Sequence, residues 1–205
     1  MTASPEFDRQ LGTLLDCDYP GLAGLSRTEF LGHVEPLREL VPVDTPSDGS
    51  TFAFVIVVKG ELVPTVAAVE RFSVDGRSGF TDMADELPGY RPIPGVDVPS
   101  SPAYLLTEVD TGRATLGVRP NDALPSITAA GRTPLTIDEG VALVTQFPDI
   151  FRAHNAFQAL GSRAGNKRIP SFWVSKGAPR LGWCWAGNPH TWLGSGSAAA
   201  RYGSG

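Results

Sequence analysis

Eight consecutive β-forming residues constrain the fold more than any other stretch of this sequence. They run Thr51-Phe-Ala-Phe-Val-Ile-Val-Val58, with no charged side chain among them. Successive side chains of a strand point to opposite faces, so this run is apolar on both faces. Such a pattern is typical of a strand that is covered on both sides, and it predicts the central strand of a sheet.

Three helices are predicted from their start signals. The first covers 4–16, and the second covers 26–41 and begins with the capping box Ser26-Arg-Thr-Glu29. The clearest helix begins at another capping box, Thr136-Ile-Asp-Glu139. Acidic side chains favour the positive end of a helix, so Asp138 and Glu139 are interpreted as structural residues.

The remaining β-rich stretches are expected to pair mainly antiparallel, because turn signals such as Asp75-Gly76 separate them. A further short helix is expected over 121–130. The predicted strands cover 62–72, 77–80, 104–109, 156–162, 168–175 and 180–186.

The predicted fold class is α+β: a largely antiparallel sheet with N-terminal helices and one central helix packed on it. We expect a single domain over 1–205. Its N-terminal helices occupy 1–45, and its strands occupy 46–135. The helix and a C-terminal antiparallel meander occupy 136–205.

The segment 81–102 interrupts the strand pattern with five prolines and four acidic residues. An extended loop of this length is either functional or wraps around the surface. Charge is also uneven: residues 151–205 hold seven Arg and Lys and no Asp or Glu, although the whole chain has a net charge of −5. Two interpretations stay open: the two parts attract each other, or a basic face receives an anionic ligand.

The chemically richest stretch is 180–197, with three of the four tryptophans, Cys184 and His190. Strand alternation puts Trp183 and Trp185 on one face and Cys184 on the other, where small neighbours predict a closely packed helix. Cys184 is then a packing residue. The two indoles form either a wall of the core or a platform for a flat or apolar ligand.

The leading functional hypothesis is a small-molecule pocket in this stretch, for an anionic or aromatic ligand. If the pocket is catalytic, His190 is the candidate general acid or base, because a histidine titrates near neutral pH. No cofactor is identified. The candidate ligand-binding residues are Trp183, Trp185, Asn188, Trp192, Arg132 and Arg180.

Three alternatives stay open. A non-catalytic protein-interaction module would use the acidic segment 81–102 and the basic end, and it is compatible with a homo-oligomer. A metal site would use Cys184 and His190, but it needs a third ligand. The run 194–197, Gly-Ser-Gly-Ser, is predicted to lead into a helix and to hold an anion, although it lacks the end of a P-loop.

Other classes of partner are disfavoured. The chain is acidic, with a pI of about 5.2, and has no nucleic-acid-binding motif. No apolar run reaches the roughly 20 residues that span a bilayer. The start of the sequence has no secretory signal, and its two cysteines are not a disulfide framework, so a cytoplasmic location is expected.

Several stretches of the sequence resemble a family of proteins of actinobacterial type that is defined as a domain of unknown function. They are 131–140, 161–163, 168–170 and above all the stretch 181–194, which reads LGWCWAGNPHTWLG. The resemblance implies a complete stand-alone soluble protein. It implies no activity, because none is assigned to the family.

Overall fold

A computed structural model describes residues 4–42, 49–152 and 154–204 of the chain. Within these residues the chain forms an α+β fold, as predicted. The boundary predicted at 45/46 lies outside the described residues. The helices are α1 (Pro5–Asp16), α2 (Tyr19–Leu22), α3 (Arg27–Val34), α4 (Thr65–Glu70), α5 (Pro120–Ala129) and α6 (Ile137–Gln146). Short 3-10 helices cover Glu35–Leu40, Leu87–Gly89, Arg113–Thr115 and Pro148–Phe151.

Many of the described strands are only two residues long. The first seven are β1 (Thr51–Val58), β2 (Ser73–Val74), β3 (Arg77–Ser78), β4 (Phe80–Thr81), β5 (Arg91–Pro92), β6 (Ala103–Asp110) and β7 (Thr133–Pro134). The others are β8 (Phe157–Gln158), β9 (Ser162–Arg163), β10 (Arg168–Ser175), β11 (Ala178–Trp185), β12 (Gly194–Ser195), β13 (Ser197–Ala198) and β14 (Ala200–Gly203).

Two sheets carry the fold. The first has the order β1-β6-β13-β7, and β14 pairs with β6 beside it. The second has the order β12-β8-β10-β11-β4. Its β8, β10 and β11 are antiparallel and its two outer pairs are parallel. The pairing is therefore largely antiparallel, as predicted, and β10 and β11 form an antiparallel hairpin within the predicted C-terminal meander.

The strand β1 lies at the end of its sheet, so the prediction of a central strand is wrong. Among the described strands it pairs with β6 alone. Helix α1 covers the edge of β1 through Gln10, which is fully buried. Nε2 of Gln10 donates to the carbonyl oxygen of Phe54 (3.0 Å), and the backbone N–H of Ile56 donates to Oε1 of Gln10 (2.8 Å). The Gln10 amide thus replaces a neighbouring strand, which allows an edge strand to be this apolar.

Helix α6 is the central helix of the fold and packs between the two sheets. All of its residues except Asp138 are buried. On one side it contacts β1, and on the other it approaches β10 so closely that a Cβ on Gly140 would lie 2.3 Å from the ring of Phe172. The predicted capping box at Thr136 is present.

Two local predictions are wrong. The predicted strand at 62–72 is a turn followed by α4, because Pro64 precedes a short Val- and Ala-rich run that is compatible with either structure. The run 194–201 forms β12, β13 and the start of β14 instead of a loop that enters a helix. Pairing with β6 overrides the helix propensity of its alanines.

A buried ion pair fastens the end of the chain to α6. Arg201 donates to both carboxylate oxygens of Glu139, at 2.5 and 2.9 Å. The hydroxyl of Tyr104 and the backbone N–H of Thr136 also donate to this carboxylate, at 2.8 and 2.7 Å. Burial alone would lower the pKa of Arg201, but hydrogen bonds and the charge of Glu139 raise it above its ordinary value. The carboxylate of Glu139 is fully buried and fully paired.

We expect Gln10→Ala to lower the free energy of unfolding by about 2–4 kcal/mol, because it leaves two buried backbone groups of β1 unpaired. Urea denaturation measures this loss. Asp16→Ala, at an exposed position of the same helix, is the control and should change stability by about 0.5 kcal/mol or less. Equal stability of the two variants would show that the Gln10 amide does not protect the edge.

Arg201→Met should cost about 3–5 kcal/mol, because the charge of Glu139 then stays buried without a partner. The double variant Glu139→Gln/Arg201→Met removes that charge and should recover part of the loss in the same denaturation assay. A double variant no more stable than Arg201→Met would mean that lost packing, and not the unpaired carboxylate, causes the effect.

Candidate functional site

A cleft of about 620 Å³ lies at the N-terminal end of α6. This volume is in the range that binds small molecules. One side is built from the ends of three elements: Lys59 follows β1, Thr65 begins α4 and Asp138 lies in the first turn of α6. The opposite wall is the Pro-rich segment 81–102, which contributes Ala84, Leu87, Pro88, Tyr90, Arg91, Pro92 and Val98.

The carboxylate of Asp138 is the main polar group on the cleft. It accepts a hydrogen bond from the backbone N–H of Gly60. A Cβ on Gly60 would lie 2.7 Å from Oγ1 of Thr65 and 3.1 Å from Oδ1 of Asp138. The absence of a side chain at Gly60 therefore leaves a space that both of these side chains border.

Burial raises the pKa of Asp138 from 3.8 to about 6. The hydrogen bond from Gly60 opposes this shift, as does the charge of Lys59, while the neighbouring Glu139 adds to it. The salt bridges of the described residues do not include Asp138. A carboxyl group that titrates near pH 6 can gain and lose a proton under physiological conditions, which acid–base catalysis requires.

The cations that line the cleft hold its walls together. Nζ of Lys59 donates to the carbonyl oxygens of Pro99 (2.8 Å) and Ser100 (3.2 Å), so it ties β1 to the end of the Pro-rich segment. Arg91 donates to carbonyl oxygens within its own segment, including that of Pro88 at 2.6 Å. Glu61 and Asp138 bring the opposite charge to the same cleft. The cleft therefore presents both signs of charge.

The predicted Trp and His cluster is divided between the two faces of the second sheet. The rings of Trp183 and Trp185 meet edge to face, with centroids 4.8 Å apart, on the same face as the core residue Leu181. Trp192 contacts His190 (5.6 Å), and also Trp173, which lies on the opposite face (6.2 Å). The structure brings the members together in pairs and not around one pocket.

His190 lies beside the exposed indole of Trp192. Its backbone oxygen accepts from the N–H of Gly117 at 2.8 Å, and its Nε2 is buried without a hydrogen-bond partner among the described residues. Asn188 is exposed, and its N–H closes the turn by donating to the carbonyl of Trp185 (3.1 Å). The residues that line the 620 Å³ cleft do not include this stretch.

The two predicted ligand-binding arginines lie in separate places. Arg132 immediately precedes β7 of the first sheet, and it donates to Oγ of Ser197 (2.9 Å) and to the carbonyl oxygen of Glu108 (2.5 Å). Arg180 lies over the ring of Trp173, at 4.8 Å, and donates to Asp82 at 2.6 Å. Both guanidinium groups already have partners within the protein.

The face of β11 that carries Cys184 packs on a helix at Ala186. Ala186 forms a small apolar cluster with Ala123 and Ile127 of α5, which is the expected helix, while Cys184 itself lies outside that cluster. Cys184 is half-buried, and burial raises the pKa of its thiol. Within the described ranges, no group of three or more His, Cys, Asp or Glu side chains is placed to hold a metal ion.

Ion pairs confirm that the acidic and basic parts of the chain attract each other. Four of the five arginines after residue 150 pair with acidic residues of the preceding part. The pairs are Arg152 with Asp75 and Asp149, Arg168 with Glu86, Arg180 with Asp82 and Arg201 with Glu139.

No local motif in the sequence places the cleft. Its lining comes from four separated parts of the chain, and the pattern around Asp138 is that of an ordinary helix start. The length of the Pro-rich segment was the one indication, because long loops in compact domains often line functional sites.

These features define an α+β protein with a buried central helix whose first turn opens into a cleft. Residues 13–204 match the family described as a family of unknown function, DUF5701, and the chain belongs to this family. The resemblance noted in the sequence is therefore confirmed at the level of such a family. Comparisons with curated proteins and with solved structures gave no match. None of the described helices is both long and apolar enough to cross a membrane.

We expect Asp138→Asn to stabilise the protein at pH 7.5 by about 2–3 kcal/mol, since each unit of pKa shift corresponds to about 1.4 kcal/mol. The folded-state pKa is raised, so stability falls as the pH rises from about 4 to about 6 and stays lower above that range. The gain should therefore disappear at pH 4. Denaturation of wild type and variant at both pH values measures it.

The matched control for this prediction is Asp122→Asn. Asp122 also lies in the first turn of a helix, but it is exposed. It should show no comparable gain at pH 7.5. An Asp138→Asn effect of equal size at pH 4 and pH 7.5 would contradict a raised pKa.

Proposed function

We propose that this protein binds a small polar molecule in the cleft at the start of α6, with Asp138 as the group that accepts or donates a proton. One observation carries the proposal. Asp138 is the single residue of α6 that is not buried, and it lies on a cleft of ligand size beside Thr65 and Lys59. A helix otherwise enclosed by the core thus presents one titratable group to a cavity.

The chemistry of the cleft favours a ligand with a hydroxyl or amino group. At pH 7.5 Asp138 is mainly ionised, so it can accept a hydrogen bond or a proton from such a group. The hydroxyl of Thr65 lies next to the same position and can both donate and accept. Apolar residues of the opposite wall, among them Leu87 and Val98, would cover the carbon skeleton of the ligand.

The predicted site around His190 is a second candidate. Its support is the buried Nε2 of His190, which has no partner among the described residues, next to an indole of Trp192 that is 46% exposed. A ligand that donates to this nitrogen and stacks on the ring would satisfy both groups. Trp183 and Trp185 would not take part, because they lie on the other face of the sheet.

Screening a library of small metabolites by thermal shift, followed by titration of each hit, separates the two candidates. A ligand of the cleft should bind at least about tenfold more weakly to Asp138→Asn, because a charge-assisted hydrogen bond contributes about 1.5–3 kcal/mol. Binding should also weaken below pH 6, where Asp138 is protonated. His190→Ala is the control and should leave this affinity unchanged.

The opposite pattern would reject the cleft as the binding site. Hits that lose affinity in His190→Ala and keep it in Asp138→Asn would move the binding site to the sheet face. Hits whose affinity does not change between pH 5 and pH 7.5 would remove the proposed role of the Asp138 carboxylate.

A further inference from the structure

We infer that Arg168 is a positioning residue for the cleft: together with Trp183 and Trp185 it holds the Pro-rich wall in place through Glu86. In this role Trp183 and Trp185 support the cleft although they do not line it. The inference rests on the proposed function only in treating this segment as the wall of a ligand-binding cleft. The contact itself is independent of a ligand.

Arg168 is held from two sides. Its guanidinium carbon lies 4.2 Å from the ring centroid of Trp183 and 5.9 Å from that of Trp185. Its Nη1 forms an ion pair with Oε1 of Glu86, and both side chains are about one-third exposed. Stacking on an aromatic ring favours a fixed orientation of the guanidinium group, so the Trp pair aims Arg168 at Glu86.

Glu86 lies within the cleft wall, between the lining residues Ala84 and Leu87. The residues that follow it, Leu87, Pro88 and Tyr90, line the cleft. Burial raises the pKa of Tyr90, and the nearby carboxylate of Glu86 adds to this effect. A displacement of Glu86 would therefore move the wall directly.

A second contact of the same kind holds the beginning of the segment. Arg180 lies over Trp173 and donates to Asp82 at 2.6 Å. Further along the segment, β5 pairs with β9 over two residues, and Lys59 binds the carbonyls of Pro99 and Ser100. Two Arg–Trp contacts on opposite faces of one sheet thus hold one half of the wall. The short β5–β9 pairing and the Lys59 side chain hold the other half.

Because the ion pairs that hold the wall are weak, the wall is the part of the cleft that can open. Solvent-accessible ion pairs contribute little to stability and weaken as salt is added. Met83 and Tyr90 of the wall reach the core, but most residues around them are exposed, whereas α6 and β1 on the other side of the cleft are buried almost throughout. Regions held by few buried contacts open most readily in native proteins. Arg168 and its two tryptophans therefore set how often the wall leaves its closed position.

Hydrogen–deuterium exchange of the full chain tests this inference without a ligand. Arg168→Gln should speed exchange about tenfold for the wall amides that are hydrogen-bonded in the closed position, because it removes the ion pair with Glu86 and the cation–π contact with Trp183 together and local opening becomes easier. Among them, the N–H of Ile93 donates to the carbonyl oxygen of Gly161 and reports on displacement of the wall, whereas those of Leu87, Gly89 and Tyr90 donate within the segment and report on its local order. Amides of α6 and β6 should keep their rates, which shows that the fold is intact. Lys167→Gln is the matched control, since it removes the same charge from the adjacent, exposed position.

Two further arms identify the cause. Raising the salt concentration should speed exchange of the wall in the wild-type protein and have less effect in Arg168→Gln. Arg168→Lys, which keeps the charge but not the planar group, should give an intermediate rate. Wall exchange that is unchanged in Arg168→Gln, or equally fast in Lys167→Gln, would overturn the inference, and so would faster exchange throughout α6. These results do not depend on whether a cleft ligand is found.

Discussion

The buried contact between Glu139 and Arg201 is the interaction on which the rest of this structure depends. Glu139 closes the capping box of α6 by accepting from the N–H of Thr136, and the same carboxylate accepts from Arg201 of β14 and Tyr104 of β6. One side chain thus joins the central helix to two strands of the first sheet. Because a buried charge without partners is costly, this network allows only one placement of the first turn of α6.

The fixed first turn determines what the neighbouring residue can do. Glu139 points into the core and is fully paired, whereas Asp138 points into the cleft and receives one backbone N–H, from Gly60. Two adjacent carboxylates therefore have different chemistry, because one is compensated by a guanidinium group and the other is partly desolvated without one. The unfavourable free energy of keeping Asp138 ionised arises at the position where the proposed ligand would interact with it. Residues that lower stability in this way are common at functional sites.

Local signals in the sequence predicted the fold class and several elements correctly, but they could not place the candidate site. The capping boxes at Ser26 and Thr136 and the hairpin at Asp75-Gly76 depend on residues within a few positions, and all three are present. The apolar sequence of β1 indicates that the strand is buried, but it does not indicate that Gln10 of a distant helix covers its edge. The cleft is likewise non-local.

The tryptophan stretch shows the same limit at closer range. Strand alternation separates Trp183 and Trp185 from Cys184, as the structure confirms. The positions of His190 and Trp192 depend instead on the path of the chain after the turn, which carries no strand periodicity. Residues close in sequence were therefore expected around one pocket, although the sheet itself lies between them.

The unevenly distributed charges of the chain form ion pairs with each other within the molecule. Arg168 and Arg180 each stack on a tryptophan and each pair with an acidic residue of the Pro-rich segment, on opposite faces of the second sheet. The acidic loop and the basic sheet are thus two halves of one contact, and these two arginines are not free to form an anion-binding face. Through this contact the C-terminal sheet, which lies outside the cleft, supports the wall that faces Asp138.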